Sequence, residues 1–240
     1  MIEIEGLTVR FGGVKSLSEL SAVLPERITG FVGPNGAGKT TLLNVLSGFV
    51  RPAAGTVRVA GQDVLKLQVH RRAGFGIRRT FQNEQVVENL SVADNIMAVL
   101  DNVPIGGVPA TQLVCKVLDY VGLAQKAAAL GHELNAHDRR MVEIARTMSG
   151  TPKLVMMDEP GAGLSQDEAA HLRDVILGIP DFCGAQVLLV DHDVDLISAT
   201  CQATLVLDFG SKLAYGPTAE VLKDPKVQAA YLGVFEEDAA

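Results

Sequence analysis

Apolar residues recur along this chain with two different periods, and the change of period divides it. From the start the pattern alternates, through Ile2, Ile4, Leu7 and Val9, then Leu24, Ile28, Phe31 and Val32, then Val57 and Val59. Alternation of this kind predicts short, half-buried strands, separated here by Gly and Pro. Between Asn89 and Gly150 the period becomes helical. Val92, Ile96, Val99 and Leu100 share one face, and Leu113, Val117, Leu118 and Val121 form a second run. Pro104 to Pro109 reads as a loop inside this helical part. Asp138 to Met148 predicts a further helix, with Met141, Val142, Ile144, Ala145 and Met148 as its stripe and Gly150 and Pro152 as its stop. From Lys153 onward the strand-like runs Leu154–Met157, Val187–Val190 and Leu205–Leu207 alternate with the helical runs Asp167–Leu177 and Val194–Thr200. That alternation predicts parallel strands joined by helices, an α/β core.

Composition narrows the picture by exclusion. The chain has 240 residues, 48% hydrophobic and 20% charged, with 24 Gly and 10 Pro, as an ordinary globular chain does. Its formal net charge of −7 argues against a non-specific binder of nucleic acid. No run approaches the ~18 apolar residues of a membrane span, and the opening Met1-Ile2-Glu3-Ile4-Glu5 does not resemble an export signal. Cys115, Cys183 and Cys201 are odd in number and widely spaced, so neither a disulfide framework nor a zinc site is expected. Three thiols packed as small hydrophobes in a reducing cytosol is the expectation.

The chemistry is concentrated in two places. Gly33-Pro34-Asn35-Gly36-Ala37-Gly38-Lys39-Thr40 matches G-x-x-x-x-G-K-[ST], with a predicted strand (28–32) leading in and a predicted helix (41–46) leading out. Glycines let successive backbone N–H groups curl around phosphate oxygens, and the helix start adds partial positive charge. Lys39 then bridges β and γ phosphates, and Thr40 offers a hydroxyl to Mg²⁺. The second place is Leu154-Val155-Met156-Met157-Asp158-Glu159, a buried strand ending in two carboxylates. Asp158 suits the surroundings of Mg²⁺, and Glu159 suits the polarising of an attacking water.

Taken with Pro160 after the carboxylates, Gln82 in Thr80-Phe81-Gln82 and His192 in Val190-Asp191-His192, these motifs stand in the order of an ABC-type ATPase subunit. The chain resembles that family from Leu7 to Gly233. The resemblance implies a P-loop NTPase fold of ABC type: a mixed or parallel core sheet, an N-terminal antiparallel β subdomain and a helical insert. It implies one domain over 1–240, with the β subdomain and phosphate loop at about 1–88, the helical part at about 89–150 and the carboxylate and switch core beyond. ATP and Mg²⁺ are the implied ligands, with Thr41 completing the loop residues. By the same resemblance Phe11 stacks on adenine, Gln82 reaches Mg²⁺ and the attacking water, and His192 contacts the γ-phosphate. Gly161-Ala162-Gly163-Leu164-Ser165 falls where the family crosses to a partner subunit. Transmembrane permease subunits are implied as partners, meeting a groove near Gln82 and residues 83–89, which places the chain on the inner face of the membrane.

Arg10-Phe11-Gly12-Gly13, Arg79-Thr80-Phe81-Gln82 and Ala230-Tyr231-Leu232-Gly233 look most like the ATPases of importers for branched-chain amino acids, urea or short amides. Lipopolysaccharide-export ATPases share the Tyr-Leu-Gly ending and stay open as an alternative. The signature segment departs from the family's Leu-Ser-Gly-Gly-Gln or Leu-Ser-x-Gly-Asp. Here it reads Leu134-Asn135-Ala136-His137-Asp138, with Asn135 for the serine and His137 for the second glycine. In the family this segment reaches the γ-phosphate held by the other subunit, and a ring at a glycine position obstructs close approach. The departure favours a heterodimer with a second ABC ATPase subunit over a homodimer. It also leaves open a subunit that closes on ATP with weak hydrolysis, or one in which Asn135 and His137 are tolerated.

Overall fold

The computed structural model of the chain describes residues 1–82 and 84–232, with side chains through residue 230. In chain order its elements are β1 Ile2–Phe11, β2 Val14–Leu24, β3 Ile28–Val32, α1 Lys39–Ser47, β4 Ala54–Val59, β5 Gln62–Asp63, α2 Val69–Phe75 and β6 Ile77–Arg79. Then follow α3 Val92–Leu100, α4 Ala110–Tyr120, α5 Ala136–Met148, β7 Leu154–Asp158, α6 Gln166–Cys183, β8 Gln186–Val190, α7 Val194–Thr200, β9 Ala203–Asp208 and β10 Ser211–Pro217. The chain divides into two compact units, Met1–Val69 with the chain from Leu188 onward, and His70–Val187.

In the first unit β2-β1-β4-β5 form a four-stranded sheet whose neighbours are all antiparallel. The alternation read from the sequence fixes its buried face: Ile2, Ile4, Leu7 and Val9 of β1 and Val57 and Val59 of β4 are all buried. Leu24 and Ile28, one run by periodicity, belong to different strands in different sheets, with Pro25, which has no N–H to donate, directly after β2. The same unit carries core-sheet strands of mixed direction. β3 runs parallel to β9, with Phe31 opposite Leu205, and β9 runs antiparallel to β10. All five β3 residues are buried, which a two-sided position requires.

The second unit pairs β6 with β7 in parallel, Arg78 opposite Val155, and surrounds them with helices. The helical period between 89 and 150 is realised as α3, α4 and α5. The α5 stripe is as expected, but Arg140, Glu143 and Thr147 are also buried, so α5 is enclosed on more sides than its apolar stripe shows. α6 runs to Cys183, past the expected end at Leu177 and through Pro180. Tyr120 from α4 secures that stretch: its hydroxyl donates to the Val175 carbonyl at 2.7 Å, and its ring lies 4.5 Å from that of Phe182. Gly178 makes room, since a Cβ there would meet the Tyr120 Oη at 2.2 Å. Tertiary packing thus carries the helix past a residue that breaks it locally. Of the three thiols, Cys201 is buried as expected, Cys183 is half-buried, and Cys115 is exposed on α4 instead of packed. Among the described residues no helix is long and apolar enough to cross a membrane.

Candidate functional site

The candidate residues fall into two groups, one in each unit. In the first unit the phosphate loop leaves the C-terminal end of β3 and enters α1 at Lys39, as the motif predicts. Two glycines shape it. Gly33 has φ +149°, and a Cβ would meet the Leu207 carbonyl oxygen of β9 at 2.2 Å. Gly38 has φ +104°, and a Cβ would meet the Ser16 carbonyl oxygen at 2.6 Å. The loop is therefore braced between β2 and β9, by residues far from it in sequence. Two further ties complete the brace: the Ser16 and Thr41 hydroxyls are 2.7 Å apart, and the Gly210 N–H donates to the Ala37 carbonyl at 3.1 Å.

Lys39 is buried, with its ammonium donating to the Gly33 carbonyl at 2.5 Å and the Pro34 carbonyl at 3.1 Å. The amine is thus folded back over the loop that it follows. Asn35, Gly36 and Thr40 are exposed, Pro34 and Thr41 half-buried, and Ala37 buried. Phe11 ends β1 with half of its surface, 52%, exposed, which a core Phe would not show. His192 follows β8 and is exposed. The turn behind it is shaped by Asp191, whose Oδ1 accepts from the Asp193 N–H at 3.0 Å.

In the second unit Asp158 ends β7 and is 1% exposed. Its Oδ2 accepts from Arg79 Nη2 at 2.6 Å, and its backbone N–H donates to the Thr80 hydroxyl at 3.2 Å. Its Oδ1 is buried with no hydrogen-bond partner among the described residues. An orphaned carboxylate oxygen at that depth fits a hard cation or its water. No group of three or more His, Cys, Asp or Glu forms a cage among the described residues. Mg²⁺, which keeps water and phosphate as most of its ligands, needs no such cage. Glu159, next in the chain, is half-buried and held at φ +53°, an uncommon conformation for a non-glycine residue. Strain of this kind concentrates at functional positions.

Gln82 is exposed, on a segment held by α5 from both sides. The Phe81 N–H donates to Glu143 Oε1 at 2.9 Å, and Arg140 Nη2 meets Glu84 Oε1 at 2.8 Å. Arg140 also donates to the Glu159 carbonyl at 3.3 Å, so one buried guanidinium ties the Gln82 segment to the carboxylate turn. Burial pushes the Glu143 carboxyl up to about 7, against the N–H of Phe81 and the charge of Arg140, which pull it down. Beside it lies a cavity of about 280 Å³ lined by Arg78, Arg79, Phe81, Val99, Glu143 and Arg146, among others. Burial also lowers the Arg78 guanidinium to about 10.

The signature segment opens α5. Leu134 is buried and Asn135 is the N-cap, its Oδ1 accepting from the Asp138 N–H at 2.7 Å. Asparagine therefore does here what the family's serine would do as a cap. Ala136 is exposed, and Asp138 pairs with Lys126. His137 Nε2 lies 3.2 Å from Nδ1 of His171 on α6. Ser16, Arg79, Glu143 and His171 were not legible as site residues, because each acts on a partner dozens of positions away. Only Arg79, adjoining Thr80-Phe81-Gln82, stood next to a visible motif. Gly233, the acidic tail Glu236–Asp238 and Asn83 of the expected groove lie outside the described residues.

The ABC transporter family profile matches residues 20–162, and that of the branched-chain amino acid ATP-binding cassette transporter matches 211–237. Over 97% of this chain and 98% of the relative, it is 34% identical to the high-affinity branched-chain amino acid transport ATP-binding protein BraF of Pseudomonas aeruginosa. It is 33% identical, over 95% of each chain, to the lipopolysaccharide export system ATP-binding protein LptB of Escherichia coli. Among solved structures it superposes on the ADP conformation of MJ1267, an ATP-binding cassette of an ABC transporter, with a TM-score of 0.84 at 27% identity, covering 98% of this chain and 99% of that one. Phosphate loop, carboxylate strand and these likenesses agree, and the chain belongs to the ABC transporter family as one of its ATP-binding, ATP-hydrolysing subunits.

Proposed function

We propose that this chain is the motor subunit of an importer for branched-chain amino acids or related small polar solutes. The observation that carries this reading is the match of residues 211–237 to the branched-chain amino acid cassette, added to near-full-length identity with BraF. A second reading, an ATPase of a lipopolysaccharide-export system, is favoured by the comparable identity to LptB. Both place the chain on the inner face of a membrane beside permease subunits. The cavity lined by Phe81, Glu143 and Arg146 is the groove we assign to them.

In this reading the adenine stacks on Phe11, and the backbone of Gly33–Lys39 cradles the phosphates. Lys39 turns from its carbonyls to the β and γ phosphates, with Thr40 and Thr41 at the loop's helical end. Thr40, Gln82 and Asp158 are the residues that would hold Mg²⁺, which would supply neutralisation of charge on the β and γ phosphates. Glu159 accepts a proton from water as that water attacks the γ-phosphorus. The bond to the bridging oxygen breaks, releasing phosphate and ADP. His192 and Gln82 orient the γ-phosphate and the water.

Work comes from differential affinity: ATP favours a closed head-to-tail pair of subunits, and hydrolysis removes that preference. The signature residues 134–138 are the surface offered to the partner's γ-phosphate. His137 at a glycine position favours pairing with a different ABC subunit that carries the unmodified motif. A weakly hydrolysing subunit that closes on ATP is the alternative that this altered motif leaves open.

The test is steady-state Mg-ATP hydrolysis by the purified chain beside Glu159→Gln and Lys39→Ala. Removing the base lowers turnover by about 10²–10⁴-fold while ATP stays bound. Lys39→Ala loses the binding itself. Turnover that survives Glu159→Gln would rule the assignment out.

A further inference from the structure

His137 is the residue that departs furthest from the family pattern. It is the second residue of α5, where the first N–H groups have no intrahelical acceptor. The Asn135 cap takes the Asp138 N–H, and those of Ala136 and His137 have no acceptor within the helix. Side chains on a helix tilt toward its N-terminus, so an imidazole at this position, left to itself, overhangs those N–H groups. The ring is held elsewhere. Its Nε2 lies 3.2 Å from His171 Nδ1, the two rings have centroids 5.2 Å apart at 43°, and the His137 side chain is only 14% exposed. His171 stands on α6, so the bond ties the ring to that helix.

We propose that His171 is a positioning residue which, by tethering His137 to α6, leaves the N-terminus of α5 open to the γ-phosphate of a partner subunit's ATP. The proposal rests on the head-to-tail pairing given above and takes up the alternative in which Asn135 and His137 are tolerated, since a stowed ring removes the obstruction that favours a different partner. It explains how a chain with a ring in place of glycine keeps an approach for an anion. The ring is stowed, and the main chain it would cover stays accessible.

The tether has a built-in limit. Two neutral imidazoles form one N–H to N bond, and a single added proton is shared within it, but two protons turn both facing nitrogens into donors and the bond is lost. Burial, and then His171 itself, hold the His137 imidazole below its ordinary value. Glu168 and Asp138 oppose that shift, and Lys126 adds to it. Neutral pH keeps the pair closed. Acid strong enough to protonate both rings opens it.

Five proteins test this: the unmodified chain, His171→Ala, His171→Gln, and His137→Ala with and without His171→Ala. By NMR, removing His171 raises the titration midpoint of His137, and a midpoint that does not move overturns the tether. In ATP hydrolysis at neutral pH, with the same partner subunit throughout, His171→Ala lowers kcat roughly tenfold with little change in KM, a coupling ordinary for contacting residues. In the His137→Ala background the same change has no effect, because no ring remains to stow. An equal loss in both backgrounds would mean a purely structural role and overturn the proposal. Glutamine at 171 accepts from either form of His137, so His171→Gln restores neutral turnover and flattens the acid side of the pH profile. A profile unchanged by that substitution counts against the tether. If none of these proteins hydrolyses ATP, the motor reading falls, and the tether is then decided by the His137 midpoint.

Discussion

The phosphate loop of the first unit and the opening of α5 in the second both start a helix with donor groups turned outward, yet they are made from different materials. The loop is made of main-chain conformation. Gly33 and Gly38 take φ angles of +149° and +104° and sit against the Leu207 and Ser16 carbonyls, where no side chain fits. The α5 opening is made of side-chain partners: Asn135 caps it, Lys126 neutralises Asp138, and His171 holds His137. A main-chain site prints its requirement locally, as glycines at fixed spacing. A side-chain site can change its own letters, as Asn135 and His137 do, if other elements supply compensating partners.

The contrast can be broken at the loop first. Gly38→Ala should abolish ATP binding altogether, since the added Cβ meets the Ser16 carbonyl at 2.6 Å in a conformation L residues avoid. Titration with a fluorescent nucleotide reads this directly. Retained affinity would mean that the backbone is less demanding there than its geometry shows.

A smaller effect sharpens the second unit's dependence on buried side chains. The Glu143 carboxyl is raised in the folded chain to about 7, from 4.5, chiefly by burial. The folded state therefore binds more protons than the unfolded chain across that window. The contribution to stability is full below 4.5 and is lost as pH rises through about 7. Denaturant midpoints measured across this range should fall with pH for the unmodified chain and fall less for Glu143→Gln. Parallel curves for the two proteins would exclude Glu143 as the source.

At α5 itself the expected changes are smaller still. Asn135→Ala removes the cap on the Asp138 N–H and should cost about 1 kcal/mol in urea unfolding. Asn135→Ser should stay within a few tenths of a kcal/mol, because serine supplies the same acceptor. A serine variant as unstable as the alanine one would show that asparagine does more here than cap. Least perturbing is a labelling experiment on the thiols. Cys115 should react with a maleimide in the native state, and Cys201, buried and with its thiol pushed up to about 12, only on unfolding.

Much of the fold was legible because its instructions are local. Alternation at Ile2, Ile4, Leu7 and Val9 gave β1, the continuous run 154–157 gave β7, and Val194–Thr200 gave α7 at its observed bounds. The Gly33–Thr40 motif located its own strand and helix. What the sequence misjudged depends on packing. Pro180 ends a helix unless Tyr120 and Phe182 hold the next turn, and Cys115 looks like core until α4 is placed.

By itself, then, the sequence determined the family, the phosphate loop and the carboxylate strand, since backbone conformation and hydrophobic period act over a few residues and leave a readable spacing. Only the tertiary structure decided which side chains serve them: Ser16 and Leu207 bracing the loop, Arg79 on Asp158, Arg140 and Glu143 around the Gln82 segment, His171 on His137. These are contacts between residues 22 to 174 positions apart in the chain. Their energy depends on burial and on distances of a few ångströms, and neither is encoded in any short stretch of the sequence.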